Sequence, residues 1–231
     1  MIMDRLVLLR HETTEANLKW ELSAYHTKVC EQGRERTLQW AQYHAGKFDD
    51  MIVISNAQPR CLDLFTILTA HNNFSHTIVD PRFDERKFGA FIKKTKEETI
   101  ALLSKQFPDL AQRLWDDFSS WMDQELIGED GSPIFESNKK MKERVSLALM
   151  QIMDTYPGKD ILIITSTGIL RTLQAKFLWK TTQEYDKYLT TQTGYNRIPN
   201  LALTEFQWDQ DTLTYALEHF NVVLHHQDEV L

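Results

Sequence analysis

This sequence has little that would support disulfides, nucleic-acid binding or membrane insertion. Only two cysteines, Cys30 and Cys61, occur in 231 residues. They form no disulfide framework and read as free thiols in a reducing compartment. Positive charge is in deficit: 26 Lys and Arg stand against 33 Asp and Glu, a net charge of −7. A polyanionic backbone or an anionic bilayer demands a basic surface, so neither is expected as the main partner. The apolar run near the N-terminus, Leu6-Val7-Leu8-Leu9, is too short for a signal peptide or a membrane span, and a cytoplasmic location is expected. No Cys, His, Asp or Glu spacing reads as a zinc or calcium site. His225-His226 reads as polar tail. No Gly-rich loop follows a strand, which argues against nucleotide binding of the P-loop or Rossmann kind. No metal or organic cofactor is implied, and there is no internal repeat.

Three short apolar runs are present, and each ends in chemistry. Leu6–Leu9 leads into Arg10-His11. Met51-Ile52-Val53-Ile54 leads into Ser55 and then Arg60. Ile161-Leu162-Ile163-Ile164 leads into Thr165-Ser166-Thr167-Gly168. Each run reads as a buried strand. Open parallel sheets place their ligand crevice at the C-terminal strand tips. Arg, His and hydroxyl groups are therefore expected around one anion pocket, with phosphate the obvious anion. Arginine suits it, because its planar fork matches phosphoryl oxygens.

Strands at about 5–10, 51–55, 76–80 and 160–165 alternate with helices at about 33–47, 59–71, 138–156 and 168–179. Pro59 suits the first turn of its helix. Leu201–Trp208 and Thr212–Phe220 read as a late hairpin around Asp209-Gln210-Asp211. An exposed edge in that hairpin would permit a homodimer. Between about 90 and 135, apolar residues such as Leu103, Leu110, Leu114, Trp115 and Phe118 recur at helical spacing. The expected architecture is α/β: a three-layer sandwich with a mostly parallel sheet, helices on both faces, and a helical insertion over the C-terminal strand ends. The whole chain, 1–231, reads as one domain with that insertion as its cap. The insertion's aromatics fit core and cap packing, and also a lid over the pocket that selects substrate.

Arg10-His11-Glu12-Thr13-Thr14-Glu15-Ala16-Asn17 resembles the signature of the histidine phosphatase superfamily, which includes phosphoglycerate mutases. Arg10, His11, Thr14 and Asn17 fit that pattern, and Glu12 stands where it has glycine. Ser55–Arg60 resembles the second strand and helix entry, with Arg60 as a further phosphate arginine. Phe83–Gly89 is similar to the segment carrying the general acid, which falls on Glu85. Phe135-Glu136-Ser137 resembles a Gly-Glu-Ser motif without its glycine, and Asn200–Thr204 resembles a late strand. The resemblance implies phosphomonoester hydrolysis through a phosphohistidine on His11. Arg10, Asn17 and Arg60 would bind phosphate, Glu85 would protonate the leaving oxygen, and the substrate would be a small phosphorylated molecule.

One departure matters most. The family usually has a second histidine after the strand that corresponds to Ile161–Ile164, and Ser166 stands there. Ser166 either contacts phosphate as a neutral donor or caps the following helix. Losing a charged donor typically lowers a rate by ~10²–10³, so hydrolysis is expected to be weak, and mutase activity, which needs both histidines, is disfavoured. The alternative is a catalytically impaired homologue that binds a phosphorylated ligand or a protein partner. Glu12 is expected to point away from the pocket, since successive side chains of an extended segment alternate. The substrate itself is not legible.

Overall fold

The three apolar runs become the centre of one sheet. In this computed structural model the described residues are 4–19, 21–108, 125–128, 131–178, 184, 187, 198–209 and 214–222. The strands are β1 (Arg5–Arg10), β2 (Ile52–Ser55), β3 (His76–Val79), β4 (Ile161–Thr165), β5 (Leu203–Asp209) and β6 (Thr214–Val222). Their order is β3-β2-β4-β1-β5-β6. The first four pair in parallel, and β5 and β6 pair antiparallel.

Helices cover both faces. They are α1 (Glu15–Leu18), α2 (Glu31–Tyr43), α3 (Pro59–Thr69), α4 (Lys96–Gln106), α5 (Asn138–Thr155) and α6 (Thr167–Phe177). Leu6, Leu8, Ile54 and Ile163 pack against Val145 and Leu149 of α5 and Leu170 of α6. Val7, Leu9, Val53 and Ile164 pack against Trp40 of α2 and Leu64 of α3. Strands buried on both faces must be apolar throughout, which is why the runs are continuous rather than alternating. Each fully buried Leu or Ile contributes roughly 1.5–3 kcal/mol.

The element boundaries shift for local reasons. α2 begins and ends earlier than its pattern suggests. It starts after Cys30 at the N-cap and stops at His44, whose ring stacks on Trp40 at 4.1 Å. A left-handed turn at Gly46 follows, with φ 74°. β3 ends at Val79 because the Asp80 side chain caps the next 3₁₀ turn, accepting from the Arg82 N–H. α1 has no counterpart in the apolar pattern. It is too short for periodicity and depends on the Thr14/Asn17 capping box.

Part of the 90–135 segment is described. Phe88, Phe91, Ile100, Leu103, Leu126 and Phe135 form a cluster of their own. Leu110, Leu114, Trp115 and Phe118 lie outside the described residues, as do the hairpin turn 210–213 and His225-His226. Among the described residues no helix is long and apolar enough to cross a membrane.

Candidate active site

The strand register places three chain exits at one level. Arg10 is opposite Thr165, and Ser55 is opposite Ile164. Just past the sheet, His11 N–H donates to the Thr165 carbonyl at 3.2 Å, and Asn56 N–H donates to the Ile164 carbonyl at 3.2 Å. His11, Asn56 and Ser166 therefore leave the sheet side by side, at the tips of β1, β2 and β4.

His11 is 3% exposed. Its Nδ1 lies 2.6 Å from the Glu12 carbonyl oxygen. A carbonyl can only accept, so Nδ1 carries the proton and Nε2 holds the lone pair. Burial holds the imidazole pKa well below the usual histidine value, and the charges of Arg60 and Arg10 push it the same way. The ring is thus neutral at physiological pH, which is the state a nitrogen nucleophile needs.

Arg60 is 1% exposed and makes no ion pair among the described residues. One terminal nitrogen donates to Gln58 Oε1 at 2.6 Å and to Ser166 Oγ at 3.3 Å, and the other donates to the Ala24 carbonyl at 3.2 Å. Its buried Nε has no partner among the described residues. All its partners are neutral. A buried guanidinium without a counter-charge costs several kcal/mol unless an anion meets it.

Ser166 occupies the N-cap position of α6 but makes no side-chain cap. That overturns the capping alternative. Its hydroxyl instead donates to Gln58 Oε1 at 3.3 Å and faces the Arg60 guanidinium. Cys61 Sγ lies 4.0 Å from the same hydroxyl. Burial, the dominant effect, pushes the Cys61 thiol up to about 12, so it stays protonated and is no nucleophile.

Glu85 reaches the start of α6. Its Oε2 accepts from the Gly168 N–H at 2.9 Å and its Oε1 from the Arg86 N–H at 2.8 Å. Glycine at 168 lets the carboxylate sit this close: a Cβ there would lie 3.1 Å from the Glu85 carboxyl carbon and closer still to its oxygen, so the Glu85 side chain would have to shift. The segment carrying Glu85 is tied to α5. Arg144 pairs with Glu136 at 2.7 Å and donates to the Arg82 and Asp84 carbonyls. Ser137 caps α5 through the Lys140 N–H.

The remaining predicted residues flank His11 in the sequence. Arg10 is the last residue of β1, half-buried, and its guanidinium donates to the Ile198 carbonyl. Asn17 sits on α1, where its Oδ1 accepts from the Thr14 N–H at 3.0 Å. Glu12 does point away from His11, but it is buried rather than solvated. Its carboxylate accepts from Thr13 and pairs with Arg36 of α2 at 3.0 Å. α2 approaches closely here: a Cβ on Gly33 would lie 2.9 Å from Glu12 Cγ and 2.8 Å from the Thr13 carbonyl.

A family model for the histidine phosphatase superfamily (branch 1) matches residues 6–218. The chain belongs to that superfamily. Solved structures with the same fold include a mycobacterial glucosyl-3-phosphoglycerate phosphatase complexed with VO3, at 18% identity and a TM-score of 0.71, covering 95% of this chain and 100% of that one. A histidine-to-alanine variant of phosphoserine phosphatase from Entamoeba histolytica, in complex with phosphoserine, is similar at 20% identity and a TM-score of 0.67, covering 95% and 97%. No curated protein matches by sequence.

In this histidine phosphatase superfamily member, two further residues organise the site that sequence reasoning did not single out. Gln58 Oε1 accepts from Arg60, Ser166 and the Glu85 N–H, so one amide oxygen ties three candidate groups together. Asn200 donates to the His11 carbonyl at 3.0 Å, across 189 residues of sequence. Neither stands at a spacing that periodicity can detect, although both lie inside segments quoted for the resemblance. Among the described residues no cluster of three or more His, Cys, Asp or Glu could hold a metal ion.

Proposed function

We propose that this chain is a phosphomonoester hydrolase acting through a phosphohistidine. His11 Nε2 attacks phosphorus, a P–N bond forms, and the bond to the leaving oxygen breaks. Glu85 supplies the leaving oxygen's proton, and water then cleaves the P–N bond to release phosphate. Arg10, Arg60 and the Asn17 amide hold the phosphoryl oxygens, and Ser166 adds a neutral donor. The observation that carries this reading is Arg60, buried without a counter-charge beside a neutral His11. That the structural neighbours are named as phosphatases supports it.

Small phosphorylated molecules are the proposed substrates, and the 90–135 segment is proposed to cap the crevice within the single domain. Free Cys30 and buried Cys61 fit a cytoplasmic protein. A homodimer would form through the β6 edge.

One observation favours a second reading, a homologue that binds a phosphorylated ligand or protein without turning it over. Both Glu85 oxygens already accept backbone N–H groups, and Ser166 is a weaker donor than an imidazolium. The test compares hydrolysis of an aryl phosphate by the native chain, His11→Ala and Ser166→His. Native turnover that disappears in His11→Ala supports the hydrolase. A silent native chain, with activity appearing in Ser166→His, moves the assignment to the binding role.

A further inference from the structure

Gln58 stands at the N-cap of α3 and does not cap it. Pro59 at the start of the helix disfavours a helical backbone in the residue before it, and Gln58 is extended, with φ −80° and ψ 135°. Its N–H donates to Asn56 Oδ1 at 3.0 Å, which fixes the turn from behind. The side chain goes instead to the strand tips, where its Oε1 meets Arg60 and Ser166.

The partners decide which way the amide faces. An Arg60 nitrogen donates to it at 2.6 Å and the Glu85 N–H at 3.2 Å. Neither group can accept, so the atom facing them is the oxygen and the other end is the Nε2 amino group. Ser166 gives its hydroxyl proton to the same oxygen at 3.3 Å. Three donors on one oxygen hold the amide in place. Gln58 is 4% exposed, yet its Nε2 makes no hydrogen bond among the described residues and is not sealed from solvent. The neighbouring Asn56 is the contrast: its Nδ2 is spent on the Phe83 carbonyl at 3.1 Å and on Thr165 Oγ1 at 3.3 Å. A nearly buried amide donor without a partner is costly unless an acceptor arrives to meet it.

Nε2 and the Arg60 guanidinium are close enough to share one anion. Oε1 and Nε2 sit on the same carbon, so Nε2 is at most about 5 Å from the Arg60 nitrogen that bonds Oε1. A tetrahedral anion bridges such a gap with one oxygen on each donor. We propose that Gln58 is a catalytic residue: its Nε2 donates to a phosphoryl oxygen beside Arg60, while its Oε1 keeps Arg60, Ser166 and the Glu85 segment in register. The proposal rests on His11 as the phosphoryl acceptor and adds a neutral donor to that site. Ser166 also contributes through Gln58, because a proton given to Oε1 polarises the amide and strengthens Nε2–H as a donor. A donor fixed before the reaction stabilises the charge on the phosphoryl oxygens without reorganising.

The test follows the amide by NMR and the chemistry by rate. In the isotope-labelled native chain, the Gln58 side-chain amide is the pair of resonances missing from Gln58→Glu. On titration with orthovanadate, one proton of that pair is expected to move downfield and to exchange more slowly with water, because it gains a hydrogen bond. The Asn56 amide, whose donors are already taken, should move much less. Aryl phosphate hydrolysis is the second readout. Gln58→Glu keeps an acceptor for Arg60, Ser166 and the Glu85 N–H but loses the donor, and Gln58→Met loses both. In each, kcat/KM is expected to fall by ~10²–10³. A purely structural role as acceptor predicts a native-like Gln58→Glu instead. Activity of Gln58→Glu within about threefold of native overturns the proposal. So does a Gln58 amide that shifts no more than that of Asn56 at saturating orthovanadate. The parent reading fails separately. A native chain that shows the amide shift without hydrolysis is no hydrolase, and Gln58 is then a donor in anion binding. Hydrolysis with an unmoved amide keeps the hydrolase and removes Gln58, and the absence of both overturns both.

Discussion

The floor of the proposed phosphoryl pocket and the neighbouring cleft are built on opposite principles. On the floor, each group is held by several others. Gln58 accepts from Arg60, Ser166 and the Glu85 N–H, and Asn56 donates to the Phe83 carbonyl at 3.1 Å and to Thr165 Oγ1 at 3.3 Å. Asn56, Gln58, Arg60, Thr165 and Ser166 stand at the ends of β2 and β4 and the start of α3, and they are almost wholly buried. In the cleft between α1, the 21–29 loop and Lys93, three lysines extend into solvent without ion partners among the described residues. Reaction chemistry needs fixed geometry in a dry setting, where one charge acts strongly. A loop-built rim needs no such order and can change freely.

The largest expected effect would break the comparison at the floor. Arg60→Ala removes the buried guanidinium, and aryl phosphate hydrolysis should drop by ~10²–10³ in kcat/KM. A loss below about threefold would show that the floor is no more determining than the cleft.

The next effect is on stability and comes from His11. An unfolded histidine titrates near 6.5, whereas burial and the two arginines keep the folded ring neutral well below that. As pH falls below 6.5, the unfolded chain binds a proton that the folded chain refuses. Stability contributed above that pH is therefore lost on acidification, on the order of 1 kcal/mol by pH 5.5. Urea midpoints at pH 7.5 and 5.5 measure it, and His11→Ala should lose correspondingly less over the same interval. An equal loss in both chains would mean the folded ring does titrate.

The smallest effect sharpens the comparison at the cleft. Relieving the left-handed backbone at Lys93 (φ 59°) is worth roughly 1–2 kcal/mol, and the extra chain entropy of glycine takes back about 0.5–1 kcal/mol. Lys93→Gly should therefore stabilise the chain by about 0.5–1 kcal/mol in thermal or urea unfolding. No gain would mean the position stores no strain and lysine is there at no cost to stability.

Much of the floor was legible because strand tips follow directly from apolar runs. Leu6–Leu9, Ile52–Ile54 and Ile161–Ile164 announced buried strands, and the residues just past them had to emerge together if the sheet was parallel. Arg10, His11, Arg60, Glu85 and Ser166 were all marked by their places relative to those runs or by the family resemblance. The cleft was not legible. Lys19, Lys28 and Lys93 are dispersed along the chain and carry no pattern, and α1, which forms one wall, is too short to show a period. Ser166 was recognised as a replacement, but its direction was not fixed: a serine at a helix start caps by default, and here Arg60 and Gln58 claim it instead.

The sequence by itself determined the sheet, its helical coverage and the family, because burial on both faces forces continuous apolar strands and those strands fix where the chain exits. Tertiary structure alone decided the rest. It set Gln58 as the link among three candidate groups, kept Arg60 without a counter-charge, turned Glu12 toward Arg36, and placed lysines from α1, the 21–29 loop and position 93 around one opening. These depend on contacts between residues far apart in the chain, whose energies arise from desolvation and direction and leave no trace in local spacing.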